Sequence, residues 1–424
     1  MKRFKQNGLV FNMLLLTIFF SIWFPKAGVK FSGIPLTVSN VLFGITFILW
    51  IFKKIKFGKV KISSLGTILI FTIGYCIFKY IIAYAGGKSF IESIGYIIPL
   101  IVYPLIFFIT FDEIENKNQI NQIIKIIIYG FWFACLYALL QYVIGINKCA
   151  IPGLTVNLSD YQQYGEYWYM HKANGTQVDE AKIVSTYQNG NLFGIGLLLI
   201  YPLVNKYYKD CKNRKLENFS LIIFVLCTFL TLSRACWLGI AVFLFVEILL
   251  KKEKTLKDIL KKISIIIMAL IAIFLIFKYV PQIANRFLNT DLEDWISMSG
   301  RTEGLIEVFQ TVWESGNVLG LIFGPYGISE YSGLAYEMFP LSLFVQLGII
   351  GVILMYTIFV KVIFELRKTD FIESAIRLSI IIWLIVGIIE CGYWLPPAAL
   401  NMFTLIGLGY ANRKIIENKK SNNC

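Results

Sequence analysis

The sequence has a single histidine, His171, which excludes a histidine-rich metal site. Its eight cysteines show no metal-ligand spacing, and Cys76, Cys135 and Cys227 fall inside apolar runs. Cys149, Cys236 and Cys391 are expected near the outer face with nothing to pair them, so no disulfide framework is indicated. Charge is scarce: charged residues make up 16% of the 424 positions, against 57% hydrophobic. A soluble chain of this length could not bury so much apolar surface in one core. Strict alternation of apolar and polar residues is also missing, which argues against an outer-membrane barrel. The chain shows no internal repeat and no low-complexity segment.

What the sequence does have is a succession of apolar runs of roughly eighteen residues or more, each of which must be helical in lipid to satisfy its backbone. Spans are predicted near 9–24, 34–52, 65–84, 91–111, 122–145, 191–205, 218–233, 235–250, 262–280, 338–360, 376–393 and 396–411. The expected fold class is an all-α polytopic membrane protein, one transmembrane domain over 1–424. It would have about twelve helices and two long extracytoplasmic loops at 146–190 and 281–337. The first run follows Lys2, Arg3 and Lys5 as in a signal peptide. No small-residue cleavage site precedes Pro25, and more spans follow, so the run reads as the first helix.

A net charge of +14 would suit nucleic acid if it were clustered, but most of the charge sits in short loops between apolar runs. No nucleic-acid partner is therefore expected. With the N-terminus inside, the segments 1–8, 53–64, 112–125, 206–217, 251–262, 361–377 and 412–424 hold 29 of the 40 lysines and arginines. That asymmetry predicts both termini on the cytoplasmic side of a bacterial inner (plasma) membrane. The Ile- and Lys-rich, Ala-poor usage fits an AT-rich bacterial genome.

One stretch decides the sidedness of everything after it. Phe219–Leu250 is 32 residues of mostly apolar sequence with its main break at Ser233-Arg234. As one helix it would be roughly 48 Å long against about 30 Å of hydrocarbon. Basic clusters flank it on both sides, Lys206 to Lys215 and Lys251 to Lys262, and both belong inside. The segment is therefore predicted to be a hairpin with Arg234 at its outer tip.

Several residues could carry chemistry at that outer boundary. Arg234 keeps its charge and presents a fixed fork of donors that suits a phosphate or pyrophosphate oxygen; the same position suits an arginine snorkelling to lipid headgroups. Arg301 opens a segment in which Leu305, Val308, Phe309, Val312 and Trp313 follow amphipathic helical spacing, after a start signal at Ser299-Gly300. An arginine at a helix start is poorly placed for the dipole but well placed for a bound anion; the plain alternative is an exposed loop residue. Arg286 is of the same kind. Glycines 316, 320, 324 and 327, with Pro325, are expected to break the chain next. Glu337 precedes an apolar span and could accept a hydroxyl proton, or simply mark a boundary. Glu390 lies near the outer end of its span, where an ionisable group is a functional candidate. Lys79 is either its partner or a snorkelling side chain. Tyr161, Tyr164, Tyr167, Trp168 and Tyr169 crowd the first long loop and suit either sugar stacking or an interfacial aromatic belt.

Taken together these segments resemble the O-antigen ligase and polymerase superfamily. Thr231-Leu232-Ser233-Arg234-Ala235-Cys236-Trp237-Leu238-Gly239 resembles its Ser-Arg-x-x-Trp-Leu segment. Tyr187-Gln188-Asn189-Gly190-Asn191-Leu192-Phe193-Gly194 is similar to its Asn-rich helix start. Arg301 looks like its loop arginine, and Gly324-Pro325-Tyr326-Gly327 like its glycine turn. Glu337 to Gly351 resembles its His-Asn…Leu…Gly-x-x-Gly helix, and the likeness covers roughly 185–351. Eleven residues before Gly348, where ligases carry histidine, this chain has Glu337. That departure tilts the resemblance toward a Wzy-type polymerase. It implies a membrane glycosyltransferase that joins polyprenyl-pyrophosphate-linked oligosaccharide repeat units into a surface polysaccharide, O-antigen or capsule. Ligase and lipid-linked oligosaccharide flippase are the alternatives. It implies no cofactor, metal or nucleotide sugar; the partners are the lipid-linked substrate, membrane lipids and a chain-length regulator. Arg234, Arg301 and Glu337 would be catalytic. Glu390, Asn191, Tyr164, Trp168 and Tyr326 would bind substrate.

Overall fold

The computed structural model describes residues 2–31, 34–58, 60, 62–85, 98–165, 182–187, 189–249, 318–324, 338–390 and 397–421, with residues 306, 310 and 314. The described chain is mostly helical. In order it comprises α1 (Lys2–Trp23), a hairpin of β1 (Gly28–Phe31) and β2 (Ile34–Thr37), α2 (Val38–Phe57), α3 (Ser64–Ala85) and α4 (Leu105–Glu113). Then come α5 (Lys117–Ile144), α6 (Leu158–Tyr164), α7 (Gly190–Asp210), α8 (Arg214–Leu230) and α9 (Arg234–Leu244). The last are α10 (Val318–Phe323), α11 (Phe339–Glu365), α12 (Phe371–Gly387) and α13 (Ala398–Ser421).

Four of these helices are long and apolar enough to cross a membrane: Val38–Phe57, Ser64–Ile82, Lys117–Ile144 and Phe339–Glu365. A fifth apolar stretch, Gly8–Trp23, is shorter. The expected dozen is thus supported at the coarser level of a mostly helical protein with several spans. The span expected at 262–280 lies outside the described residues, as does most of the long loop 281–337. The helix expected to begin at 34 begins instead at Val38, because Ile34–Thr37 is spent on a strand and Thr37 caps α2 by accepting from the Asn40 amide. The antiparallel hairpin, with Val29 opposite Leu36, departs from the all-α expectation. In place of a continuous helix through 91–111, the described residues form a π-helical turn, Ile98–Val102, and then α4 from Leu105. Pro99 and Pro104 account for the interruption, since each removes a helix donor.

The middle of the bundle is α7, most of whose residues are buried, among α5, α8, α9, α12 and α13. The predicted break at Ser233-Arg234 is present as a tight turn between α8 and α9. Three contacts show that α9 runs back alongside α7. A Cβ on Gly190 would lie 2.7 Å from the Thr231 carbonyl oxygen, Gly194 faces Cys236, and Gly239 faces Leu198. Past the end of α9, Glu247 pairs with Lys206 and with Lys209. Between them α8 is antiparallel, its Phe224 ring stacked 3.9 Å from Tyr201.

Ion pairs gather at the end of the bundle to which α2, α7 and α11 descend. Lys53 grips both oxygens of buried Glu113 at 2.8 Å, and Lys54 and Trp50 share Asp112. Glu365 accepts from Ser64 and Tyr410, tying α11 to α3 and α13. Asn412 donates to Asp370 at 2.8 Å, and Glu373 accepts from the Arg367 amide. This basic end is opposite the end that carries α6 and the first turn of α7.

Candidate functional site

At the end away from these pairs, Asn191 in the first turn of α7 donates from Nδ2 to the Glu390 carboxylate at 3.0 Å. The local sequence explains the placement. Asn189 caps α7 by accepting from the Leu192 amide at 2.8 Å. Gly190 and Gly194 let the helix start press against the 231–236 turn, where any side chain would collide with the Thr231 carbonyl or the Cys236 sulfur. The turn is stiff. Thr231 donates to the Thr228 carbonyl at 2.6 Å and accepts from the Ser233 amide, and Leu232 holds φ 53°, a conformation rare outside glycine.

Arg234 is the first residue of α9, beside the helix's unbonded amides. Two residues on, the Cys236 thiol donates to the Asn191 carbonyl at 3.6 Å. The same thiol lies within electrostatic reach of Glu390 and Lys182. Lys182 is positioned by a short segment pinned on both sides. The Ile183 amide donates to Leu230, and Gln141 both donates to the Ser185 carbonyl (3.0 Å) and accepts from its amide (2.7 Å). The arrangement therefore joins an amide, a buried carboxylate, a thiol, an ammonium and an arginine-started helix. The Asn191 Oδ1 is buried and has no partner among the described residues. Such a site can orient a hydroxyl and offset negative charge.

Of the residues expected from sequence, the structure pairs Asn191 with Glu390, and Arg234 opens the helix whose Cys236 bonds to Asn191. Tyr164 is on a separate element, the last residue of α6. Arg301, Glu337, Trp168 and Tyr326 lie outside the described residues, as do Arg286, His171 and Cys391. Lys79 is buried and donates to the Gly324 carbonyl at 3.3 Å, which makes it an internal tie rather than a snorkelling cation. Sequence reasoning passed over Lys182 and Gln141, which carry no local motif. Lys182 is placed by its neighbour Ile183, bonded to Leu230 47 residues on, and Gln141 by Ser185, 44 residues away. Among the described residues no group of three or more His, Cys, Asp or Glu converges as a metal site would require.

A second charged cluster supports α6. Asp160, in α6, pairs with Lys26 at 3.2 Å, between α1 and β1, and with Lys30 of β1. Burial alone would raise the Asp160 carboxyl, but the hydrogen bond from Lys30 and the charges of Lys26 and Lys30 outweigh it and hold it below its usual 3.8. A depressed folded pKa gives stability that is present above the unfolded value and lost as pH falls through the folded one. Asp160→Asn is accordingly expected to lower the unfolding temperature at pH 7 and to flatten the loss of stability of the parent below about pH 4. Identical melting curves for variant and parent from pH 7 to pH 3 would contradict this.

Compared with known proteins, the chain matches no family model and no curated protein.

Proposed function

We propose that the protein is a membrane glycosyltransferase that polymerises polyprenyl-pyrophosphate-linked oligosaccharide repeat units at the outer face of a bacterial plasma membrane. The observation that carries this reading is the part-buried Asn191–Glu390 bond beside the start of α9, where Arg234 stands at the head of a helix. Two further features support it. The site is at the end of the bundle away from the basic loops, which is the outer end if positive charge stays inside. The sequence around it is the part that resembles the O-antigen polymerases and ligases.

In this reading a sugar hydroxyl of one lipid-linked unit attacks the anomeric carbon of another. The new glycosidic C–O bond forms as the bond to pyrophosphate breaks. The hydroxyl proton passes to a carboxylate, with Glu337 as the base, and Glu390 and Asn191 orient the acceptor. Arg234 and Arg301 offset the charge growing on the departing polyprenyl pyrophosphate. Tyr164, Trp168 and Tyr326 guide the glycan. The chemistry needs no metal or nucleotide sugar, and a chain-length regulator is the expected protein partner.

The test is reconstitution of purified protein with lipid-linked repeat units, read on a gel. A ladder of lengths is the expected result. A single shifted acceptor band would mean a ligase. No product, together with movement of the lipid across vesicle membranes, would mean a flippase.

A further inference from the structure

The hairpin of β1 and β2 has two unlike faces. On one, the Lys30 side chain reaches Asp160, and along the free edge of β1 the Lys30 amide donates to Ser159 Oγ at 2.9 Å and the Gly28 amide to the Gly153 carbonyl at 3.0 Å. That face and edge are tied to α6 and the loop leading into it. Side chains alternate along a strand and match across a pair, so Val29, Phe31 and Leu36 share the other face. They are 39%, 75% and 49% exposed, with no charged side chain from the strands among them, because Lys30 is turned away. The hairpin also has a fixed depth. Its first strand starts shortly after α1 ends at Trp23, and its second runs directly into α2. Only 22% of the α2 span is buried inside the protein. Its exposed Val41, Ile45, Ile48 and Phe52 recur at helical spacing as an apolar stripe on that candidate span. Leu36 of the hairpin's apolar face precedes the first residue of that stripe, Val41, by five positions in the chain.

We propose that this face is a membrane-surface dock: Val29, Phe31 and Leu36 sit in the interfacial layer of the phospholipid bilayer and hold α6 against the lipid surface. Three observations single out lipid as the occupant. The second strand runs directly into a candidate membrane span with an exposed apolar stripe, Val29, Phe31 and Leu36 are exposed apolar side chains on one side of the hairpin as at membrane-contact sites, and Lys30 is turned to the other side. The consequence is positional. Because the other face carries α6 rigidly, bilayer contact sets the height of Tyr161 and Tyr164 above the membrane. This inference does not depend on the polymerase reading.

The test places a nitroxide label on Phe31→Cys, an exposed position, in the full chain reconstituted in phosphatidylethanolamine–phosphatidylglycerol vesicles, with the label signal of the parent chain subtracted. Power saturation then compares molecular oxygen, which enriches in lipid, with a water-soluble nickel chelate. The expected result is a label several-fold more accessible to oxygen than to nickel, and loss of that preference when the same sample is moved into a detergent with short chains. Greater access to nickel would put the face in water and overturn the proposal. Low access to both would mean that protein covers it, and would overturn it equally. A Val29→Ser, Leu36→Ser variant keeps the test decisive if the label perturbs locally: phospholipids carrying a photoreactive headgroup should cross-link to residues 27–38 in the parent and several-fold less in the variant.

Discussion

Gly348→Ala is expected to prevent recovery of folded protein. Gly348 lies inside α11 at φ 68°, ψ −170°, a combination close to the glycine-only part of the backbone map. A Cβ there would overlap the Gly324 nitrogen and the Ile322 carbonyl oxygen, both backbone atoms at the end of α10. Neither is the loose end of a side chain, so the collision cannot relax cheaply. The break is also finished with dedicated bonds: Tyr75 donates to the Leu347 carbonyl at 2.6 Å, and Lys79 donates to the Gly324 carbonyl. Such bonds are what a helix break needs inside a membrane, where water cannot take the freed carbonyls. The backbone conformation costs an L-residue about 1–3 kcal/mol, and forced overpacking adds about 1–3 kcal/mol. Against a total stability of about 5–15 kcal/mol, that is a large fraction. Gly74→Ala is the control, because a Cβ at Gly74 in α3 meets nothing within 4 Å. It should be neutral or stabilising by about 0.5–1 kcal/mol. The measurement is the monodisperse yield and unfolding temperature of both variants in one detergent. A Gly348→Ala protein that melts with the parent would show that the break is not built on this glycine.

The contrast between α11 and the hairpin shows what the sequence could reveal. The apolar runs under α2, α3, α5 and α11 stand out because hydrocarbon imposes a length, and basic residues mark where each run stops. The α8–α9 turn was legible for the same reason: two flanking lysine clusters cannot both stay inside unless the chain reverses between them. The Gly348 break had no such signature, since a glycine in a membrane helix is ordinary and only its meeting with Gly324 makes it obligatory. The β1–β2 hairpin was hidden because four-residue strands give too few alternations to register, and their apolar residues merge with the α2 run. Gly320, expected as a breaker, is instead taken up inside α10, where local propensity yields to packing against α11. At the site, Glu390 was recognisable as an ionisable group near the end of an apolar span, and Asn191 through the resemblance of its segment to an Asn-rich helix start. Their pairing was not, because 199 residues separate them and no periodicity links the two.

The largest functional effects are expected at that pair and at Arg234. Glu390→Gln keeps the size of the side chain and an oxygen that can still accept from Asn191, while removing the charge. If the carboxylate helps to place the acceptor, chain elongation by the reconstituted protein should fall by roughly 10–100-fold, with the unfolding temperature little changed. If Glu390 only closes a hydrogen bond, Glu390→Gln will give the parent's ladder at the parent's rate, and the substrate-handling role is wrong. Asn191→Ala separates the two effects from the other side. It leaves a buried carboxylate short of a donor, at a cost of about 1–3 kcal/mol, and should therefore lower both stability and rate. Arg234→Lys is the sharpest of the three, because it preserves the charge, the helix start and most of the volume. What it removes is the planar fork that holds two oxygens at once. A loss of elongation of roughly 100-fold or more at unchanged expression would assign the fork to the departing pyrophosphate. A lysine that restores full-length polymer would reduce Arg234 to an interfacial anchor, since an anchor needs only its positive charge.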